Sequence, residues 1–96
     1  MQILKINNNV SFGIERDEKK VRLVVFDKEE ELACRKETVT NLMRFIESGE
    51  AHIFKGRLQL YKKSELIEIQ LQRKKLGSVS AGNFEKCLSH LIENKK

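Results

Sequence analysis

A repeated pattern of apolar residues constrains the fold of this chain more than any other feature of its sequence. Residues 12–47 and 58–93 carry the same pattern at a constant offset of 46 residues, without a gap. The apolar positions first follow the two-residue period of strands and then the spacing of an amphipathic helix. The matched pairs are Phe12/Leu58, Ile14/Leu60, Val21/Ile67, Leu23/Ile69, Val25/Leu71, Leu42/Leu88, Phe45/Leu91 and Ile46/Ile92. The pattern predicts one structural unit written twice.

Each copy is predicted to contain four strands followed by a helix. Alternating runs indicate strands at residues 2–6, 10–15, 21–25 and 31–34, and at 51–54, 57–62, 65–72 and 76–79. A helix begins near Glu37 and ends at a left-handed Gly49, and Ser80 or Asn83 caps the second helix. We therefore predict an α+β fold of two tandem ββββα units, with curved antiparallel sheets that are each backed by a helix. One unit alone would be marginally stable, so residues 1–96 should form a single domain with pseudo-repeats at 1–49 and 50–96.

Charge is divided unevenly between the two copies. Through Gly49 the chain has nine Lys and Arg residues against nine Asp and Glu residues, and from Glu50 onward it has ten against five. The whole formal net charge of +5 therefore lies in the second copy. A one-sided basic surface attracts polyanions, of which nucleic acid is the commonest. A merely solubilising surface is the simpler explanation, but it should spread its charges over both copies.

Strand alternation predicts which side chains face away from the helices. In the second copy these form a polar surface with one aromatic ring: Arg57, Gln59, Tyr61, Glu68, Gln70 and Gln72. In the first copy they are Ser11, Gly13, Glu15, Arg22, Val24 and Phe26. Val24 and Phe26 are unexpectedly apolar for an outer face. We predict that they form an oligomer interface, and the competing interpretation is that Phe26 stacks on an unpaired base.

The turn Phe54-Lys55-Gly56-Arg57 resembles an element of a known superfamily. A ββββα unit used twice, with one basic sheet, is similar to the single-stranded nucleic-acid-binding superfamily of positive-cofactor transcription coactivators, Whirly proteins and PUR-repeat proteins. Their second strand often opens with a basic-Gly-basic turn, which Lys55 and Arg57 match, and strand alternation extends the match to Gln59 and Tyr61. The resemblance implies binding of single-stranded DNA or RNA on the outer sheet faces by a dimer or tetramer. The first copy departs from it with Asn9-Val10-Ser11, which suggests that its sheet serves assembly.

Other chemistry is weakly represented in the sequence. We find no nucleophile with a base, no paired carboxylates in an apolar setting and no phosphate-binding glycine loop, so we expect no enzyme and no cofactor. Two cysteines make no disulfide framework, and Cys87 should be buried. Cys87 and His90 could share a metal, but no second tight ligand pair accompanies them, so we expect no metal site. Without a signal-peptide core or about 20 consecutive apolar residues, the protein is expected to be intracellular, cytoplasmic or nuclear, with no membrane contact.

The sequence thus predicts a non-enzymatic protein, expected to be a homodimer, that binds single-stranded DNA or RNA on a basic outer sheet face. Cations neutralise phosphates, Tyr61 stacks on a base, joined by Phe26 or Phe54, and glutamines bond base edges. The predicted contacts are Lys55, Arg57, Gln59, Tyr61, Lys62, Lys63, Gln70, Arg73, Lys74 and Lys75. The alternative is a protein-interaction or assembly module, such as a phage or mobile-element accessory factor, that docks an acidic partner by strand addition.

Overall fold

Two four-stranded antiparallel sheets, each followed by a helix, make up the computed structural model, which describes residues 1–93. The first unit consists of β1 (Gln2–Lys5), β2 (Val10–Asp17), β3 (Lys20–Asp27), β4 (Glu30–Thr38) and α1 (Val39–Glu47). The second consists of β5 (Glu50–Ile53), β6 (Leu58–Lys63), β7 (Leu66–Leu71), β8 (Lys74–Ser80) and α2 (Ala81–Glu93). The strands of each sheet lie in chain order. The predicted α+β fold of two ββββα units is confirmed.

Tight turns join β2 to β3 and β6 to β7 at equivalent positions. Asp17 pairs with Lys20, and Lys63 pairs with Leu66, so each loop contains two residues. The first loop residues, Glu18 and Ser64, have φ values of 58° and 59°, which is the left-handed region that two-residue hairpins use. The repeat offset of 46 residues holds through this hairpin.

Beyond this hairpin, the predicted constant offset of 46 residues between equivalent positions of the two units is wrong. β3 ends at Asp27 and β7 ends at Leu71, which is an offset of 44 residues. The helix N-caps are Thr38, which accepts a hydrogen bond from the Asn41 N–H, and Ser80, which accepts one from the Asn83 N–H. Their offset is 42 residues. β7 and β8 are each two residues shorter than β3 and β4.

The end of α1 also differs from the prediction. The helix ends at Glu47, and Ser48 follows in an extended conformation with φ −75° and ψ 149°. Its backbone N–H donates to the Phe45 carbonyl. Gly49 does not have the predicted left-handed conformation. In the part of the chain that the structure describes, Gly77 is the one glycine with a positive φ.

Both units contribute to one hydrophobic core. The buried side chains of the two sheets and two helices form a single cluster. α2 contacts β1 and β2 of the first unit as well as β8, and α1 contacts β5 of the second unit. The rings of Phe12 and Phe84 meet edge to face with centroids 5.6 Å apart. Each helix therefore packs partly against the other unit, which lets the two short units share buried surface.

The turn between β1 and β2 docks on the second unit. The Asn7 side-chain oxygen accepts hydrogen bonds from the N–H groups of Asn9 and Val10, at 2.8 and 2.9 Å, as Asn often does in turns. Its amide nitrogen donates to the Leu76 carbonyl on β8 at 3.1 Å. Neither helix of residues 1–93 is long and apolar enough to cross a membrane.

Candidate nucleic-acid interface

The side of the second sheet that faces away from the core carries two neighbouring rows of polar side chains. Along β6 and β7 these alternate with the buried residues Leu58, Leu60, Ile67 and Ile69. The strand register pairs Gln59 with Gln70 and Tyr61 with Glu68, so these four side chains lie next to one another. We call this surface the amide face, and it comprises His52, Arg57, Gln59, Tyr61, Lys63, Glu68, Gln70, Gln72 and Lys75.

Two stacked rings lie on the amide face. His52 on β5 is the register partner of Tyr61, and their rings are parallel within 2° with centroids 4.2 Å apart. The Tyr61 hydroxyl donates to the Gln59 side-chain oxygen at 2.7 Å, and His52 Nε2 lies 3.0 Å from the same oxygen. The Gln59 amide nitrogen in turn donates to the Gly56 carbonyl at 3.1 Å. This network fixes the orientation of the aromatic pair.

His52 is the residue of this face that sequence reasoning missed. No role was predicted for it from the sequence. The register of the β5–β6 hairpin, which pairs His52 with Tyr61, is what places it in the stack. The signal available in the sequence was strand alternation, because His52 lies between the apolar residues Ala51 and Ile53 and therefore on the outer face.

A carboxylate, Glu68, lies at the centre of the amide face. The Gln70 amide nitrogen donates to its Oε2 at 2.6 Å, and the Nζ atoms of Lys63 and Lys75 lie 3.4 and 3.6 Å from its Oε1. The hydrogen bond from Gln70 and the two nearby cations hold the pKa of Glu68 below its ordinary value, against the opposing effect of burial. Glu68 is therefore ionised at neutral pH.

Cations gather at the end of the sheet where β6 begins and β7 ends. Arg57 directly precedes β6, and its guanidinium donates to the Gln72 side-chain oxygen from both Nε and Nη2 at 3.1 Å in the amide orientation that satisfies both groups. Arg73 and Lys74 follow at the hairpin tip, where Gln72 and Arg73 have φ values of 52° and 69°. Among the side chains that the structure describes, Arg57, Arg73, Lys74 and the exposed Lys55 have no carboxylate within ion-pair distance.

Two side chains that the sequence suggested for binding do not reach the amide face. Lys62 lies on the inner side of β6, is only 7% exposed, and donates from Nζ to the Ser48 carbonyl at 2.7 Å. It ties the end of α1 to the sheet and is not free to follow a phosphate backbone. Phe54 is buried, and the Arg35 guanidinium lies 4.8 Å from its ring centroid. Its ring is therefore not available for base stacking.

Val24 does not form an exposed interface, contrary to the prediction. It lies on the outer face of the first sheet as the register partner of Gly13, and yet it is fully buried. The side chains of Met1, Ile3 and Phe26 fold over Gly13, where a Cβ would lie 2.6 Å from Met1 Sδ and 2.9 Å from Phe26 Cε2. The exposed apolar side chains of this face are instead Ile3 on β1 and Met1 just before it, which are 52% and 54% exposed.

Two cations on the outer face of the first sheet, Arg22 and Lys36, form ion pairs with three carboxylates. Arg22 contacts Glu15 at 2.6 Å and Glu31 at 2.7 Å, and Lys36 contacts Asp17 at 2.7 Å. Hydrogen bonds from the two glutamates raise the pKa of Arg22 above its ordinary value. A phosphate approaching Arg22 or Lys36 would have to displace these carboxylates, so the centre of this face differs from that of the second sheet.

The thiols and possible metal ligands are dispersed. Cys34 is exposed, whereas Cys87 is buried and burial raises the pKa of its thiol. Within the part of the chain that the structure describes, no three His, Cys, Asp or Glu side chains are grouped closely enough to hold a metal ion.

No protein-family model, no curated protein and no solved structure matches this chain. The resemblance to the superfamily of positive-cofactor coactivators, Whirly proteins and PUR-repeat proteins therefore stays a prediction.

Proposed function

We propose that this protein binds single-stranded DNA or RNA on the amide face of its second sheet and catalyses no reaction. The observation that carries the proposal is the combination of a fixed aromatic stack, a pair of glutamine side chains and a neighbouring cluster of cations. The cations of this cluster, Arg57, Arg73 and Lys74, have no carboxylate within ion-pair distance among the described side chains. The first sheet has the same architecture, but within the residues that the structure describes it has neither the aromatic stack nor the glutamine pair.

The electrostatic part of the proposal rests on the cationic end of the amide face. Arg57, Arg73 and Lys74 are exposed at one edge, and Lys63 lies at the other end of β6. The distance along β6 between these two ends is about 20 Å at the usual rise of a strand. A strand laid along this path exchanges its counterions for Lys and Arg side chains, so its affinity falls as salt rises.

The preference for single strands follows from the aromatic pair. The His52 and Tyr61 rings are held against the sheet by Gln59, so they cannot enter a groove of a duplex. An unpaired base, in contrast, can swing onto the stack and present its hydrogen-bonding edge to the glutamines. Such a protein would work where nucleic acid occurs, in an intracellular compartment whose reducing conditions keep Cys34 and Cys87 as thiols.

Replacing Tyr61 with alanine is expected to weaken oligonucleotide binding by about 1–3 kcal/mol, because one stacking surface is lost. The measurement is fluorescence anisotropy with a labelled single strand of mixed sequence, repeated across a salt titration. The matched control is Tyr61→Phe, which keeps the ring and loses only the hydroxyl bond to Gln59, and it should retain most of the affinity. Salt-insensitive binding, or a Tyr61→Ala variant that binds as well as the wild type, would contradict the proposal.

A second role, assembly with another copy of the chain, is favoured by the apolar surface formed by the exposed Met1 and Ile3 and the half-buried Phe26. This surface is bordered by ion pairs in which Arg22 and Lys36 neutralise three carboxylates. An acidic protein partner, or a nucleic acid, would meet these carboxylates, whereas a second copy offers both signs of charge to match them. We therefore propose a homodimer through the outer face of the first sheet in preference to an acidic partner.

Replacing Ile3 with lysine is expected to shift the protein from dimer to monomer in analytical ultracentrifugation, because a charge would be buried in the interface. Leu66→Lys is the control, since Leu66 is equally exposed at 53% but lies on the second sheet. A wild type that sediments as a monomer at all concentrations, or equal effects of the two variants, would rule out this interface.

A further inference from the structure

Glu68 is the feature of the amide face that capture of a polyanion does not explain. It is the single carboxylate on this face among the side chains that the structure describes. Its side chain is only 11% exposed and is held at one oxygen by Gln70. A carboxylate repels phosphate, and a neutral amide in its place would serve phosphate binding better. Glu68 lies directly opposite Tyr61 in the strand register, so it can contact a base that stacks on that ring.

The strand order defines where a stacked base would lie. His52 on β5 covers one face of the Tyr61 ring. Because β6 lies between β5 and β7, we infer that the opposite ring face is on the side of β7, where Glu68 is the register partner of Tyr61. A base stacked on that ring face stands over β7, and its edge meets Glu68 and the adjacent Gln70.

The chemistry of that edge decides which bases fit. An ionised carboxylate only accepts hydrogen bonds, so the base must donate. Cytosine, adenine and guanine carry an exocyclic amino group that can donate, and acidic side chains accept from cytosine N4 in other complexes. Thymine and uracil have one donor on this edge, N3–H, and it lies between two carbonyl oxygens. A carboxylate that accepts from N3–H therefore also faces two acceptors, and the like partial charges repel each other.

We propose that the amide face selects bases that carry an exocyclic amino group and rejects thymine and uracil, and that Glu68 is the discriminating residue. Gln70 contributes a second contact, since its amide nitrogen has one hydrogen left for an acceptor atom such as cytosine N3 after bonding Glu68. The inference rests on the proposed function, because it names the ligand of the same site.

The test compares oligodeoxycytidine with oligodeoxyuridine, each about 12 nucleotides long, by fluorescence anisotropy at mildly alkaline pH and constant salt. The two bases differ only at C4 and in the proton on N3. The wild type is expected to bind the cytidine strand at least about fivefold more tightly. In Glu68→Gln this ratio should fall toward one, chiefly because binding of the uridine strand rises when the negative charge is lost and an amide donor becomes available.

Glu65→Gln is the matched control, because it removes the same charge from the exposed β6–β7 turn beside the sheet and should leave the ratio unchanged. Thermal unfolding of both variants verifies that they fold. If neither strand binds the wild type, the proposed function fails and the selectivity fails with it. If both strands bind but the wild type does not distinguish them, or the preference survives in Glu68→Gln, the selectivity of Glu68 is wrong while nucleic-acid binding stands.

Discussion

Replacing Gly77 with alanine is expected to lower the free energy of unfolding by about 3 kcal/mol. Gly77 has a φ of +152°, a conformation that residues with a side chain rarely adopt, and a Cβ there would lie 2.5 Å from Ile6 Cγ2 and 3.2 Å from the Ile6 carbonyl oxygen. Backbone strain and overpacking contribute about 1–3 kcal/mol each. Urea unfolding followed by circular dichroism measures the loss.

Gly49→Ala provides the matched control for this prediction. A Cβ at Gly49 meets nothing within 4 Å, and its φ is not positive. At such a position alanine restricts the unfolded chain and stabilises the fold by about 0.4–1 kcal/mol. If the two substitutions had the same effect, the close approach of Ile6 to β8 would not be a feature of the folded protein.

The sensitivity of Gly77 reflects how the two units are joined. The first unit reaches β8 through Ile6 and through the bond from Asn7 to the Leu76 carbonyl. The second unit reaches β4 through the loop at Phe54, whose ring lies under the Arg35 guanidinium. These reciprocal contacts, with the shared core, make the amide face depend on the first unit even though the first unit contributes no side chain to it.

The apolar period correctly predicted which face of the sheet each side chain of β6 and β7 occupies. It did not predict the residue offset between equivalent positions of the two units. The alternation along β6 and β7 placed Arg57, Tyr61 and Gln70 on the outer side, where the structure has them. The second unit is shorter than the first by two residues at the end of β7 and by four residues at the start of α2. The apolar pattern did not reveal these deletions, because moving a strand by two residues or a helix by four keeps the same side chains on the same face. Leu42 therefore corresponds to Phe84, not to Leu88.

The errors in the candidate site have physical causes of the same kind. Alternation already places Lys62 on the side of Leu58 and Leu60, and its charge alone made it look exposed. The sequence period also says which side Val24 faces but not what covers it. The covering side chains come from β1 and from Phe26, and the space they fill exists because Gly13 has no side chain. Such long-range coverage is not encoded in a local period.

Reversing the charges of Arg73 and Lys74 together is expected to weaken single-strand binding on the order of 100-fold near 0.1 M salt. Both side chains are exposed at the tip of the β7–β8 hairpin, and neither has a carboxylate partner among the side chains that the structure describes. Two lost phosphate contacts also lower the slope of log affinity against log salt by about 1.4. Anisotropy titrations at several salt concentrations give both quantities.

The control for this reversal must change the net charge equally at a different place. Lys19→Glu with Lys20→Glu does so, because both lysines are exposed at the β2–β3 hairpin of the first sheet. If only the net charge of the protein attracted the oligonucleotide, the two double variants would lose the same affinity, since their net charges are the same. A path along the amide face predicts a large loss and a reduced salt slope only for the Arg73 and Lys74 variant, so equal losses would remove the second sheet from the binding surface.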